Sequence, residues 1–238
     1  MIAHGVVRAD DPRPAPIDAF DAGAVVFVRA GDLAVAASRL PATIDETRLF
    51  EEPADVERLA RAHNRVLVDI AEKIDVAPIR LGAVHSGVDA LFDFLDAERA
   101  AFEGALRAVA GAVEYAVDIA SNGPQPDEPA APSESVAPVS GRDYLRARGL
   151  RRNAARDAAA AFDAFVDEAA ERLSAHARKC LVETTAAASA SVKVLGARAP
   201  SASFLAALDE ISQGAAANGY EFSVTGPWPA YSFVNGDA

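Results

Sequence analysis

Ala24-Val25-Val26-Phe27-Val28-Arg29 and Leu33-Ala34-Val35-Ala36-Ala37 are two apolar runs separated only by Ala30-Gly31-Asp32. That pattern is a hairpin signal, because a short loop containing glycine can reverse the chain between two strands. A hairpin fixes antiparallel pairing, whereas neighbouring parallel strands need a long crossover. Strand pairs of this kind, mixed with helices along the rest of the chain, favour an α+β sandwich over a doubly wound parallel sheet.

Outward from the hairpin, Ile2–Val7 reads as an edge strand. A helix is predicted from Pro53, since proline suits the first helical position. Val56, Leu59, Val66, Leu67, Ile70 and Ile74 then recur at helical spacing. A strand over Val76–Leu81 follows. Ser86-Gly87-Val88-Asp89 reads as a helix cap with an acid favourably placed in the first turn. The helix it opens carries Leu91, Phe92, Leu95, Phe102, Leu106 and Val109 on one face. Alternation of Val113, Tyr115, Val117 and Ile119 predicts a strand that closes the first half.

Residues 121–140, SNGPQPDEPAAPSESVAPVS, hold five of the chain's 14 prolines and no aromatic residue. Such a stretch cannot bury enough apolar surface to offset its ordering entropy, and it reads as an extended linker. An ordered loop lying on a domain surface is the other reading. The expected organisation is an N-terminal α+β domain over 1–120, the proline-rich linker over 121–140, and a second domain over 141–238. In the second domain a long helix is predicted from Asp143 to Lys179, with a bend at Gly149 and an apolar stripe of Phe162, Phe165, Val166, Ala169 and Leu173. Strands over Leu181–Thr185 and Ser191–Leu195, a helix over Ser201–Ala217 and a strand over Glu221–Thr225 complete it.

Hydrophobic residues make up 51% of the 238, and alanine, the best helix former, is the commonest of them. Net charge is −12. That balance argues against the basic footprint of a nucleic-acid binder and against a basic membrane-binding face. The first residues lack a basic stretch followed by an apolar one, and no run approaches the ~20 apolar residues of a spanning helix. A single cysteine, Cys180, cannot form an intramolecular disulfide and fits a reducing compartment. The expectation is a soluble, acidic, cytoplasmic protein with no membrane and no nucleic-acid partner.

The chain's only tryptophan stands in Thr225-Gly226-Pro227-Trp228-Pro229-Ala230-Tyr231-Ser232-Phe233-Val234. Two prolines flank it, each fixing φ and pushing the preceding residue toward extended geometry. The segment presents large rings and no ionisable group beyond the Tyr231 phenol, so it is equipped to pack or bind rather than to react. It resembles the C-terminal signature of the gas vesicle protein F/L family, accessory proteins encoded with the gas vesicle shell protein. His63-Asn64, the stretch Val76-Ala77-Pro78-Ile79-Arg80-Leu81-Gly82, and Gly141-Arg142-Asp143-Tyr144-Leu145 match that family in the same order. The resemblance implies an N-terminal α+β domain and a modified ferredoxin-like C-terminal domain. It also implies contact with the shell protein and with other accessory proteins. Alanine at 230, where a third proline is often found, departs from the family pattern, as does the long linker.

Trp228, Tyr231 and Phe233 are therefore candidate partner-binding residues, although the same rings could seal a core. Arg142, Arg146, Arg148, Arg151, Arg152 and Arg156 crowd the start of the second half of an otherwise acidic chain. Arg148, Arg152 and Arg156 align along one side of a helix, Arg142 and Arg146 along another. Arg142, Tyr144, Arg148 and Arg152 thus mark a docking stripe for an acidic partner, or a solvated face paired with the molecule's own carboxylates. His63 falls on the apolar face of its helix and reads as a ligand or base, or as a packed histidine with both ring nitrogens hydrogen-bonded. His4, His63, His85 and His176 show no zinc spacing, so no metal and no cofactor is expected. Cys180 has no local base to activate it. The adjacent acid pairs Glu51-Glu52 and Asp209-Glu210 lack the geometry of a paired-carboxylate site. No phosphate-binding glycine motif and no nucleophile elbow is present. The reading is a non-catalytic gas vesicle assembly protein. The alternative is a small-molecule-binding or enzymatic α+β protein with an interdomain pocket carrying His63 and Arg80.

Overall fold

The structure, a computed structural model, describes residues 1–14, 16–19, 23–40, 52–121, 141–186 and 188–234. Apart from Ser121, the 121–140 segment lies outside the described residues, as does Glu51 of the first acid pair.

The hairpin forms as read. Strands β2 (Val26–Ala30) and β3 (Leu33–Ser38) pair antiparallel with Val28 opposite Val35. Gly31 makes the reversal at φ 67°, a left-handed conformation that glycine adopts without a Cβ penalty. The sequence places β1 (Ile2–Arg8) at an edge. It lies instead between β3 and the short β4 (Ala77–Pro78), in the order β2-β3-β1-β4, with its first six residues buried. His4 and Gly5 interrupt the apolar run that would have announced a central strand.

Helix α1 (Pro53–Ala71) starts at its proline and covers one face of this sheet. Its Val66, Leu67 and Ile70 cluster with Val7, Ala34 and Ala36. The opposite face packs Val6, Val35 and Ala37 against Leu91, Leu95 and Leu106. Those leucines come from two helices rather than one, α2 (Val88–Ala97) and α3 (Arg99–Ala108), separated at Glu98. Arg99, the first residue past the break, donates to Asp32 Oδ1 at 2.8 Å and to the Ala30 carbonyl oxygen, which anchors α3 on the hairpin loop.

The second sheet has the order β6-β7-β5-β8. Its strands are β5 (Ala112–Ser121), β6 (Lys179–Ala186), β7 (Ser189–Ala197) and β8 (Tyr220–Trp228), with α4 (Gly141–Ser174) after β5 and α5 (Ala202–Ala217) after β7. That β-α-β-β-α-β sequence, with its first strand paired to its third and fourth, is the ferredoxin-like pattern. The sequence reads β5 as the end of the first half. It is in fact the first strand of the second sheet, because alternating side chains announce a strand without saying which sheet it joins. Helix α4 runs unbroken through Gly149, where the sequence reads a bend. Phe162, Val166, Ala169 and Leu173 of α4 and Phe204, Ala207, Ile211 and Ala215 of α5 are buried. Tyr220 sets its ring edgewise against Phe162 and Phe165, at 5.3 Å each. Ser201 caps α5 by accepting the Phe204 N–H at 3.1 Å.

The described residues fall into two compact units. One is Met1–Tyr115 with Leu195–Ala199 and Gly226–Ala238; the other is Ala116–Val194 with Pro200–Thr225. The α+β class read from the hairpin holds for the whole, with two sheets and helices alongside each.

Candidate functional site

The tail begins inside β8 and ends in a helical turn, α6 (Tyr231–Val234). Gly226 sits at φ +122°, and a Cβ there would stand 2.8 Å from the Glu114 carbonyl oxygen. Both the backbone conformation and the close approach therefore demand glycine. Pro229 and Ala230 are buried. Ala230 clusters with Val109, Ala112 and Leu195, with Phe233 and Val234 packed alongside. Tyr231 lies against the cluster that holds Val66, Leu67 and Ile70.

The polar atoms of the tail point the same way. The Tyr231 hydroxyl donates to Asn64 Oδ1 at 3.0 Å. The Ser232 N–H donates to Glu114 Oε2 at 2.8 Å, and the Ser232 hydroxyl to Oε1 at 2.9 Å. Glu114 is 5% exposed, so both oxygens of a buried carboxylate serve to hold the tail. Burial, with the charge of Glu114 nearby, pushes the Tyr231 phenol well above its ordinary value and keeps it a donor. Trp228 and the three residues before it are exposed, Trp228 to 36%. Nearby, Arg198 donates to Asp75 Oδ1 at 2.7 Å and to the Ala71 carbonyl oxygen at 2.8 Å, while Asp75 also accepts the Gly111 N–H.

His63 is part of a closed chain of hydrogen bonds. Its Nε2 lies 2.9 Å from the Ile79 carbonyl oxygen, which only accepts, so Nε2 carries the proton. Its Nδ1 then accepts from His4 Nδ1 at 2.9 Å, and His4 Nε2 accepts from the Ser38 hydroxyl at 2.9 Å. Every ring nitrogen of the pair is occupied when both rings are neutral. Burial, and the neighbouring His63, push His4 down to about 3, and burial lowers His63 in the same direction. Arg80 is exposed and lines a shallow cleft with Pro78, Phe102 and Phe233; His63 is not among its lining residues. The structure does not bring the two together.

Arg142, Tyr144, Arg148 and Arg152 lie on the first half of α4, exposed to solvent. Cys180 is half-buried and burial raises its thiol, which disfavours the thiolate. Among the described residues no group of three or more His, Cys, Asp or Glu could hold a metal ion. No described helix is long and apolar enough to cross a membrane. What the geometry shows is a tail tied down from within. Sequence reasoning missed Glu114, Asn64 and Ser232 as the ties. The available signal was the acid itself, standing in Ala112-Val113-Glu114-Tyr115 inside a strand of buried residues.

Comparison with known proteins agrees along the whole length. Residues 1–235 match the family model described as gas vesicle synthesis protein GvpL/GvpF. The chain is 30% identical over 222 residues to gas vesicle protein L of Streptomyces sp. (strain CB03234), covering 87% of this chain and 82% of that one. The fold is similar to the crystal structure of gas vesicle protein GvpF from Anabaena sp. PCC7120, with a TM-score of 0.71 at 14% identity over 100% of this chain and 96% of the other. It is similar also to GvpF from Microcystis aeruginosa, with a TM-score of 0.66 at 12% identity over 98% of each chain.

Proposed function

We propose a role from one premise: this chain belongs to the gas vesicle GvpL/GvpF family, and its work is therefore gas vesicle-related. In the finer reading it is an assembly protein without chemistry of its own. It binds the small hydrophobic shell protein, in the cytoplasm or at the vesicle, and supports nucleation or enters the wall as a minor component. Other accessory proteins are further partners.

An unassembled shell subunit exposes apolar surface that invites aggregation until it is covered. The observation that carries the reading is the asymmetry of the tail. Tyr231 and Ser232 are tied inward to Asn64 and Glu114, while Trp228 keeps 36% of its surface open. A held backbone presenting a partly exposed indole has the form of an interface anchor, since tryptophan is among the residues that dominate binding energy. Nothing favours the small-molecule alternative, because the imidazole it needs is engaged at both nitrogens.

Co-purification with the shell protein tests this. The unaltered chain should retain the shell protein, and Trp228→Ala should lose ~2 kcal/mol or more of binding energy while melting little changed. Failure of the unaltered chain to retain the shell protein, together with normal vesicles after its deletion, would overturn the assembly role.

A further inference from the structure

We propose that the first half of α4 docks onto the acidic outer face of α2 in a second copy of this chain.

Between Arg142 and Arg156 the sequence holds six arginines and one aspartate, in a chain of net charge −12. Elsewhere Arg58, Arg99, Arg107, Arg172 and Arg198 each lie in an ion pair with a carboxylate. None of the six does so among the described residues. Side chains 144–154 are all exposed, among them Tyr144 at 47%, Leu145 at 65% and Leu150 at 64%. Leu145, Arg148, Arg152 and Arg156 follow one another at helical spacing, so an apolar residue leads a basic stripe.

Any partner for this stripe is acidic, and a second copy is an acidic body always at hand. It also offers a matching helix. Leu91 and Leu95 turn the inner side of α2 into the core, which leaves Val88 (44% exposed) and Phe92 (38%) on the outside. Asp89 and Asp93 stand exposed beside them with no ion pair among the described residues, and Asp96 follows one turn later, 3.4 Å from Arg99. The stripe is apolar and acidic where that of α4 is apolar and basic. The lengths agree as well. At about 1.5 Å per residue, Arg148 to Arg156 spans about 12 Å and Asp89 to Asp96 about 10 Å. Two helices laid along each other would set two arginine–aspartate pairs and bring the exposed leucine and phenylalanine out of water.

The test is sedimentation of the full chain across a concentration series at low and high salt. Association that grows with concentration and weakens with salt is expected, since contacts between exposed charges are screened. Arg148→Glu with Arg152→Glu should weaken it about tenfold or more, and so should Asp89→Arg with Asp93→Arg. An equimolar mixture of the two charge-reversed proteins should associate again, because each then complements the other. All four positions are exposed, so the arginine variant should melt like the unaltered chain. Asp89→Arg takes an acid from the first turn of α2 and should melt slightly lower, so the fold of that variant is checked by its circular dichroism. The salt dependence tests the proposal without any substitution. A chain that stays monomeric at every concentration and salt overturns it. So does association indifferent to the substitutions. Loss of association that mixing does not restore also overturns it and points to another occupant, such as a different acidic protein or α2 of the same chain.

Discussion

Tyr231 in the tail and Tyr144 near the start of α4 stand in the two segments whose composition promises binding. Their surroundings are opposite. Tyr231 is half-buried with its hydroxyl on Asn64, whereas Tyr144 is 47% exposed on the first half of a helix, where none of the six arginines lies in an ion pair among the described residues. The cause is geometric. The tail continues a strand whose neighbour β5 supplies a buried acceptor, Glu114. Helix α4 has 34 residues and extends about 51 Å, while the strands it packs beside have 8 to 10 residues and reach about 33 Å at most. Its first half therefore outruns the sheet that buries its second half. Rings and charges mark a segment as unusual; what the fold leaves unsatisfied decides whether the segment holds the molecule together or reaches for another.

The inward side of that contrast breaks most completely with acid. His4 and His63 are buried neutral, and His4 is held at about 3 against an ordinary 6.5. Above pH 6.5 neither state takes up protons there and the full stability is present. As pH falls below 6.5 the unfolded chain binds protons that the folded one refuses, so stability declines until the folded value is reached. The slope is roughly 1.4 kcal/mol per pH unit for each histidine. Urea unfolding at about pH 7.5 and about pH 5 should differ by roughly 2 kcal/mol from His4 alone, with His63 adding in the same direction. Equal midpoints at the two pH values would mean that the hydrogen-bonded chain from Ser38 to Ile79 does not persist in solution.

The tie between Glu114 and the tail is tested by substitution. Glu114→Ala removes the acceptor of two hydrogen bonds and strands the Ser232 N–H, at a cost of about 3 kcal/mol in unfolding free energy. Because Trp228 is the sole tryptophan, its fluorescence reports on the tail directly. Emission should shift to longer wavelength and become easier to quench. Unchanged emission with lowered stability would place the effect in β5 and leave the tail's seat intact. Tyr231→Phe should cost about 1 kcal/mol, since it removes one donor and leaves Asn64 to find another.

Much of the fold could be read in the chain because the signals were local. The hairpin, the proline at the start of α1 and the start of α5 near Ser201 each depend on residues within a few positions of one another. The strand β5 was legible as a strand but not as a member of the second sheet, since pairing partners 70 and more residues away leave no trace in its alternation. The break at Glu98 was hidden for the opposite reason: Leu91, Leu95 and Leu106 keep their spacing whether one helix or two carry them. At the site, the aromatic tail was visible from composition, and its direction was not. Nothing in Thr225–Val234 shows that Tyr231 and Ser232 face Asn64 and Glu114, because both acceptors lie more than 110 residues earlier.

The smallest expected effect tests the outward side. If the arginines of α4 contribute nothing to the fold, removing two of them should leave stability where it was. Arg148→Ala with Arg152→Ala deletes charge from an exposed face, and alanine has the higher helix propensity. Surface substitutions away from packed or hydrogen-bonded features usually stay within about ±0.5 kcal/mol. Six like charges along one helix repel one another, so the variant should be neutral or slightly more stable, most visibly at low salt where screening is weak. Arg172, on the same helix, is the internal control. It pairs with Glu168 and Glu210, 2.8 and 2.9 Å away, and the second of these belongs to α5. Arg172→Ala should therefore lower stability slightly, and less as salt is added. A drop of similar size in the Arg148 and Arg152 variant would show that the first half of α4 is packed after all, and the contrast with the tail would fail.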